Sequence, residues 1–153
     1  MITVTREIAI AVAAVSMEHV AIGKKLISVS ANMRSNRNYM RVYWSGVALA
    51  LKADWILRNT GRGSLDEVLK AFGQCCLDDH RTWTPEQFVG KLDELSDSNI
   101  FSTLYREYAY SDRFPDLRDV YQSLGLEARG NRLAFSEDAE GAPIRKLIMT
   151  DKQ

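Results

Sequence analysis

The stretch from Arg41 to Asn59 constrains the fold more than any other part of the sequence. Alanines and aliphatic residues run nearly all the way round it between Gly46 and Leu51, so little of this stretch can face water. Gly61 follows, where a left-handed cap can end a helix. We therefore predict a long, largely buried helix. The residues expected on its main core face are Val42, Leu49, Ala53 and Ile56.

Two capping boxes mark the starts of the next helices. Ser64 and Glu67 are three residues apart, so each side chain can bond an amide that the first turn leaves unpaired. Thr84 and Gln87 repeat this spacing, with Pro85 at the first helical position, where its missing N–H does no harm. We expect the second of these helices to run to about residue 95.

Weaker patterns surround these helices. Further helices are predicted from Asn99 and from Pro115, the latter ended by Gly125. Residues 5–25 suggest an amphipathic helix, whereas residues 25–38 are rich in Ser, Asn and Arg and are predicted to form a loop. After a weak alternation up to Phe135 and a break at Gly141, an apolar stretch at residues 144–149 fits either a helical turn or a strand.

The predicted fold class is mainly α. We expect a compact domain of about five or six helices with a short irregular or β-hairpin-like C-terminal tail. The length of 153 residues suits one domain, 1–153. Within it, residues 1–38 would form a helix plus a loop, residues 39–126 the helical core, and residues 127–153 the tail.

Charge and hydropathy exclude two kinds of partner. Lys plus Arg and Asp plus Glu both number 20, so no basic excess favours nucleic acid. No segment approaches the roughly 18 continuous apolar residues of a membrane span. Ile8 to Val15 is apolar, but its charged flank is a poor match to a secretion signal. We predict a cytoplasmic protein.

The two cysteines, Cys75 and Cys76, are adjacent. Adjacent cysteines do not easily reach ordinary disulfide geometry, so we expect free thiols and a reducing compartment. Helical spacing places both on or beside the core face. The alternative is a metal site made with Asp78, Asp79 and His80, but neighbouring side chains of a helix diverge by about 100° and do not readily hold one tetrahedral ion.

Motifs of common catalytic sites are missing from the sequence. The only histidines, His19 and His80, are far apart, and neither begins the H-E-x-x-H motif of zinc peptidases. No G-x-S-x-G turn and no phosphate-binding glycine loop is present. We predict no metal ligands and no cofactor within this chain.

The sequence contains two groups of aromatic residues. The first comprises Tyr39, Tyr43, Trp44 and Trp55, and core packing is its simplest explanation. On a helix Tyr39 and Tyr43 would share a face with Gly46. The second comprises Tyr105, Tyr108, Tyr110 and Phe114, and packing or a domain contact is favoured over a base-stacking surface because no excess of Lys or Arg surrounds it.

Three segments resemble a known family in their order and spacing. They are YMRVYWSGVALALKADWILRNTGRGSLDEVLKAF, WTPEQFVGKLDEL and LYREYAYSDRFPDLRDVYQSLGL. Together they look like the helical C-terminal part of the catalytic domain of glycyl aminopeptidases, which are PDZ-bearing zinc peptidases of the gluzincin group. Ser45 stands where that family commonly has lysine, and the family's glycine after the late tyrosine is replaced by AYS.

The resemblance implies one catalytic residue. The family tyrosine three residues before the helix glycine donates a hydrogen bond to the developing oxyanion, and by position this residue is Tyr43. The family's zinc ligands and general base lie upstream of the region that this chain matches. The resemblance therefore implies zinc only in an upstream half, and it leaves open whether Met1 is a true start.

Two functions follow from these expectations. The first is a helical C-terminal segment of a glycyl aminopeptidase-like zinc peptidase, inactive as an isolated chain or completed by a separate zinc-bearing chain. The second is a stand-alone helical module for protein interaction or oligomerisation. In either case an uncovered apolar face would bind a peptidase subdomain or a second copy.

Overall fold

Seven helices and one β-hairpin make up the described part of the chain. The structure is a computed structural model and describes residues 24–31, 39–77, 81–129 and 132–150. The two strands pair antiparallel, with Leu126 opposite Phe135. In chain order the elements are α1 (Leu26–Ala31), α2 (Tyr39–Asn59), α3 (Leu65–Cys76), α4 (Pro85–Leu95), α5 (Ile100–Ala109), α6 (Arg118–Ser123), β1 (Leu126–Arg129), β2 (Arg132–Phe135) and α7 (Ala142–Met149).

Helix α2 is the central element, and it contacts α1, α3, α5 and α7. It contributes to both hydrophobic clusters of the described residues. The first cluster is built by α2, α3, α4 and α5 and has as buried members Ala53, Leu57, Val68, Phe72, Cys76, Leu92, Phe101, Leu104 and Tyr108. The second joins α2 to the C-terminal elements through Ala48, Leu117, Val120, Tyr121, Leu124 and Leu126.

The turn from α2 to α3 is held by side chains that bond backbone groups. Gly61 has a positive φ of 69°, as the predicted left-handed cap requires. Ser64 and Glu67 form the predicted capping box. The buried carboxylate of Asp54 adds a third contact, because it accepts the Leu65 N–H at 2.7 Å. The end of α2 is thereby tied to the first turn of α3.

A buried aspartate fixes the corner between α4 and α5. The Thr84 and Gln87 capping box opens α4 as predicted. At the other end of α4, the two carboxylate oxygens of Asp93 accept the Phe101 N–H at 2.8 Å and the Ser102 N–H at 3.1 Å. Negative charge at this position also complements the positive end of the α5 dipole. Asp93 thus caps a helix that begins seven residues further along the chain.

A buried arginine holds the C-terminal elements together. Arg145 in α7 is 2% exposed, and its guanidinium donates to the carbonyl oxygens of Leu124 at 2.6 Å and Ser136 at 2.8 Å. It also donates to Glu137 at 2.6 Å. Gly125 has a positive φ of 68°, and a Cβ at this position would lie only 2.7 Å from the Ser136 carbonyl oxygen. Glycine therefore allows the hairpin to close against Arg145.

The predicted fold class is confirmed. The described residues are mainly helical, and the tail contains a two-stranded hairpin followed by a helix at Ala142–Met149, which resolves the choice between helix and strand there. The prediction that residues 25–38 form only a loop is wrong, because Leu26–Ala31 is helical with Val29 buried. Its Leu26 N–H donates to the Ser111 carbonyl, and such tertiary contacts outweigh weak local propensity. The helix predicted at residues 5–25 lies almost entirely outside the described residues.

One helix boundary and one helix face also differ from the prediction. Helix α6 begins at Arg118 and not at Pro115, because the Asp116 side chain accepts the Arg118 N–H at 3.0 Å and holds a turn before the helix. In α2, Ala53 is buried but the other residues of the predicted core face are half-buried. The helix has neighbours on more than one side, so its most buried positions also include Arg41 and Ser45.

The described helices differ from membrane-spanning helices in length or in composition. None of those in residues 24–31, 39–77, 81–129 and 132–150 combines the length and apolar character of a membrane span. The cytoplasmic location stays a prediction.

We predict that Arg145→Met strongly destabilises the fold. The buried Leu124 carbonyl and the half-buried Ser136 carbonyl would lose this donor, and an unsatisfied buried group costs about 1–3 kcal/mol. Urea unfolding followed by circular dichroism would measure the change. Lys146→Met is the matched control, because Lys146 is the next residue of α7 and pairs with the same Glu137 but is exposed. We expect the control to stay close to wild type; equal losses in the two variants would contradict the role of Arg145.

We predict that Tyr121→Phe stabilises the fold by about 1 kcal/mol, since deleting an unpaired buried hydroxyl removes its desolvation cost. Tyr121 is buried in the second cluster, and among the described residues its hydroxyl has no hydrogen-bond partner. Tyr108→Phe is the control, because that hydroxyl accepts a hydrogen bond from Lys52 at 3.3 Å and its loss should destabilise. If both variants were more stable than wild type, or both less stable, the assignment of an unpaired hydroxyl to Tyr121 would be contradicted.

The burial of Tyr121 also predicts how the stability of the fold depends on pH. Burial raises the pKa of Tyr121 from 10.0 to about 12. The unfolded chain therefore loses this proton at lower pH than the folded one, so the free energy of unfolding keeps its full value below pH 10 and declines as the pH rises towards 12. Tyr121→Phe should lose less stability than wild type over this range.

Candidate functional site

Tyr43 lies on the exposed side of α2, close to its N-terminal end. It is 53% exposed, and Tyr39, one helical turn earlier, is 58% exposed. The ring of Tyr43 packs edge-on against that of Trp44, with centroids 5.1 Å apart and planes 86° apart. Met40 is also exposed. We call Tyr39, Met40 and Tyr43 the tyrosine face.

The opposite side of the same helix end is anchored. Arg41 is buried, and its guanidinium donates to the Asp112 carbonyl oxygen at 2.9 Å. Ser45 is 1% exposed. Gly46 is exposed, and a Cβ added to it would meet no atom of the described residues within 4 Å. Tyr43 therefore stands on a supported helix with open space one turn away.

This placement corrects the first aromatic interpretation. Core packing is wrong for Tyr39 and Tyr43, which face solvent, whereas Trp44 and Trp55 are half-buried. The reason is that Arg41 and Ser45 take the buried side of the first turns of α2, which rotates the tyrosines outward. Sequence patterns favoured aromatic residues over polar ones for this buried side.

The second aromatic group is mostly packed, as expected. Tyr108 is buried, and Phe114 is half-buried against the second cluster. Tyr105 is half-buried, and its hydroxyl donates to Glu86 at 2.9 Å. Tyr110 is the exposed member, with the Lys25 ammonium 6.0 Å from its ring centre.

Lys52 forms a polar network that the sequence patterns did not reveal. Its ammonium lies 3.3 Å from the Tyr108 hydroxyl and 3.4 Å from an Asp119 carboxylate oxygen, and it donates to the Asp116 carbonyl oxygen at 3.1 Å. These contacts join α2 to α5 and to the start of α6. No spacing rule could have predicted them, because the partners are 56 to 67 residues away.

The protonation of this network favours a structural role. Burial alone would lower the pKa of Lys52, but the hydrogen bond to Tyr108 and the charges around it raise that pKa above its usual value. Burial also raises the pKa of Tyr108, although Lys52 opposes this shift. At neutral pH the lysine is charged and the tyrosine neutral. Neither group is poised to accept a proton, as a general base must be.

Cys75 and Cys76 lie in the last turn of α3 and are joined by a disulfide. The expectation of free thiols is therefore wrong, and it no longer supports a reducing compartment. Neighbouring side chains diverge in a regular helix, but here the chain leaves the helix at Leu77, with φ −82° and ψ 87°. Cys76 is 9% exposed and belongs to the first cluster, whereas Cys75 is exposed.

The cysteine pair opens onto a surface cleft of about 420 Å³. The Arg81 guanidinium stacks on the Trp83 ring, 3.9 Å from its centre, and Lys91 pairs with Glu94 at 2.6 Å. Trp83 in turn contacts Phe72 of the first cluster. We call this region the cysteine cleft; its lining residues are Cys75, Cys76, Arg81, Trp83, Gln87, Lys91 and Glu94.

Within residues 24–31, 39–77, 81–129 and 132–150, no group of three His, Cys, Asp or Glu side chains is placed to hold an ion. His19, Asp78, Asp79 and His80 lie outside the described residues. The two cysteines of the proposed cluster are bonded to each other, so neither offers a thiolate.

No family model, no curated protein and no solved structure matches this chain. The resemblance to glycyl aminopeptidases therefore stays a prediction that depends on the quoted motifs, and the chemistry of the tyrosine face and of the cysteine cleft is argued from their own residues.

Proposed function

We propose that this chain is the helical C-terminal segment of a glycyl aminopeptidase-like zinc peptidase and is inactive on its own. The exposure of Tyr43 is the observation that supports this proposal best. A tyrosine that donates to a reaction intermediate must project from a supported element into space that a substrate can enter. Tyr43 projects from α2, Arg41 anchors the helix beneath it, and Gly46 leaves space beside it.

The role assigned to Tyr43 is electrostatic. Its phenol would donate a hydrogen bond to the oxyanion that develops on the peptide carbonyl during attack by water. Removing one donor of this kind typically lowers kcat by about 10²–10³-fold. The phenol can take this role only if it is held in place beforehand, and the packing of its ring against Trp44 would limit its rotation.

The described residues do not fit a zinc site, so no step of hydrolysis is assigned to them beyond this hydrogen bond. The zinc ligands and the general base would come from sequence outside the matched segments. The tyrosine face would then meet a zinc-bearing subdomain, and its exposed aromatic and thioether groups suit a surface that becomes buried on assembly.

The same face supports a second candidate, a stand-alone helical module that binds a protein partner or a second copy of itself. Tyr39, Met40 and Tyr43 are adjacent, exposed and largely apolar. Aromatic residues and methionine are enriched at the centres of protein interfaces. In this case the tyrosines would act by burying their rings, and the hydroxyl of Tyr43 would matter little.

We predict that Tyr43→Phe and Tyr39→Phe separate the two candidates. Each variant would be mixed with the separately expressed zinc-bearing half of a glycyl aminopeptidase, and hydrolysis of glycyl-p-nitroanilide would be measured. If Tyr43 donates to the oxyanion, its variant should lose about 10²–10³-fold in kcat with little change in KM. Tyr39→Phe is the matched control, since it removes a hydroxyl of similar exposure one turn away.

The outcomes are distinct. Equal activity of the two variants would contradict the role of Tyr43, and a mixture without activity would contradict the proposal that this chain completes a peptidase. Sedimentation of the isolated chain over a range of concentrations tests the second candidate. Self-association that Tyr39→Ser weakens, together with an inactive mixture, would favour the interaction module.

A further inference from the structure

The cysteine cleft contains a reactive bond that the proposed function does not use. The disulfide between Cys75 and Cys76 forms part of its wall. One sulfur belongs to an exposed residue, whereas Cys76 is buried against the first cluster. An attacking thiolate from solvent can therefore reach the Cys75 sulfur much more easily than the Cys76 sulfur.

The charges around this bond favour one class of reagent. Of the described charged residues that line the cleft, Arg81 and Lys91 are positive and Glu94 is negative. Glu94 is partly neutralised by its ion pair with Lys91. The remaining positive charge attracts anions into the cleft, and it also favours a cysteine thiolate when one forms.

The aromatic wall gives the cleft a fixed shape. Trp83 contacts both the Arg81 guanidinium and the ring of Phe72, whose centroid is 5.2 Å from its own. Phe72 also contacts Phe88 of α4 edge-on, with centroids 5.1 Å apart. The Arg81 cation of the cleft is thus held on an aromatic surface that is packed against the protein core.

We propose that the cysteine cleft is a thiol–disulfide exchange site for small anionic thiols. The proposal depends on none of the residues of the tyrosine face, so it can hold or fail independently of the proposed peptidase role. Its substrates are low-molecular-weight thiols with a carboxylate or sulfonate group, which Arg81 and Lys91 attract.

The exchange takes two balanced steps. A thiolate attacks the Cys75 sulfur and forms a mixed disulfide, while the Cys75–Cys76 bond breaks and its electron pair leaves on the Cys76 sulfur, which takes up a proton. A second thiolate attacks the sulfur of the bound thiol, forms the small-molecule disulfide and releases Cys75, which is protonated in turn. The protein disulfide gains two electrons, and two thiols are oxidised to one disulfide.

We predict that the rate of reduction depends on the charge of the thiol. Wild-type protein would be treated anaerobically at low salt with 2-mercaptoethanesulfonate, 2-mercaptoethanol or cysteamine. Samples would be quenched with an alkylating agent, and the mass of the alkylated protein would be measured by mass spectrometry. Per thiolate, the anionic reagent should react fastest, roughly ten-fold faster than the cationic one, and the difference should shrink at high salt because steering is screened.

Lys91→Gln and Lys70→Gln form the matched pair of variants. Lys91 lines the cleft, whereas Lys70 lies on exposed surface of α3 and does not line it. The proposal expects Lys91→Gln to lose most of the preference for the anionic thiol and Lys70→Gln to retain it. Equal rates for the three thiols, or an unchanged preference in Lys91→Gln, would overturn it. Uptake of two alkyl groups before any reductant is added would also overturn it.

Discussion

The fold depends on pairing the backbone groups that helix ends leave without partners. Short helices joined by tight turns bury many such groups, and each one left unpaired costs about as much as a lost hydrogen bond. Here side chains supply the partners at successive junctions. Asp54 serves the start of α3, Asp93 the start of α5, and Arg145 the carbonyl groups at either side of the hairpin. The packing of the two hydrophobic clusters follows from the helix directions that these contacts set.

The sequence predicted those junctions that rely on local pairs. The sequence patterns identify the capping boxes at Ser64 and Thr84, and the left-handed Gly61 and Gly125. They can do so because the partners of these residues are only a few positions away. The helix at Leu26–Ala31 was missed for the opposite reason, since contacts with distant residues stabilise it. Local patterns contain little information about such contacts.

Buried charged residues account for most of what the sequence could not show about the candidate sites. Arginine is usually exposed, so a periodicity argument places aromatic rings inside and arginines outside. At the start of α2 the arrangement is the opposite, because Arg41 is buried and the tyrosines are exposed to solvent. The cysteine pair was misjudged because the divergence of neighbouring side chains in a helix was taken to exclude a bond, whereas the two cysteines in the last turn of α3 are joined by a disulfide. Tyr43 was identified from the family resemblance alone, and its exposure could not be foreseen from spacing.

The anchoring of α2 differs from the other junctions in the length of chain that it closes. Asp93 bonds groups eight and nine residues away, whereas the contact of Arg41 with Asp112 spans 71 residues. Loop closure becomes entropically more costly with length, by about 2 kcal/mol between these two cases. The tyrosine face therefore lies at a helix end whose anchoring closes a long loop and has a correspondingly high entropic cost. A molecule that binds this face only in its anchored form would add its binding free energy to the stability of the whole domain, so recognition and folding would be thermodynamically linked.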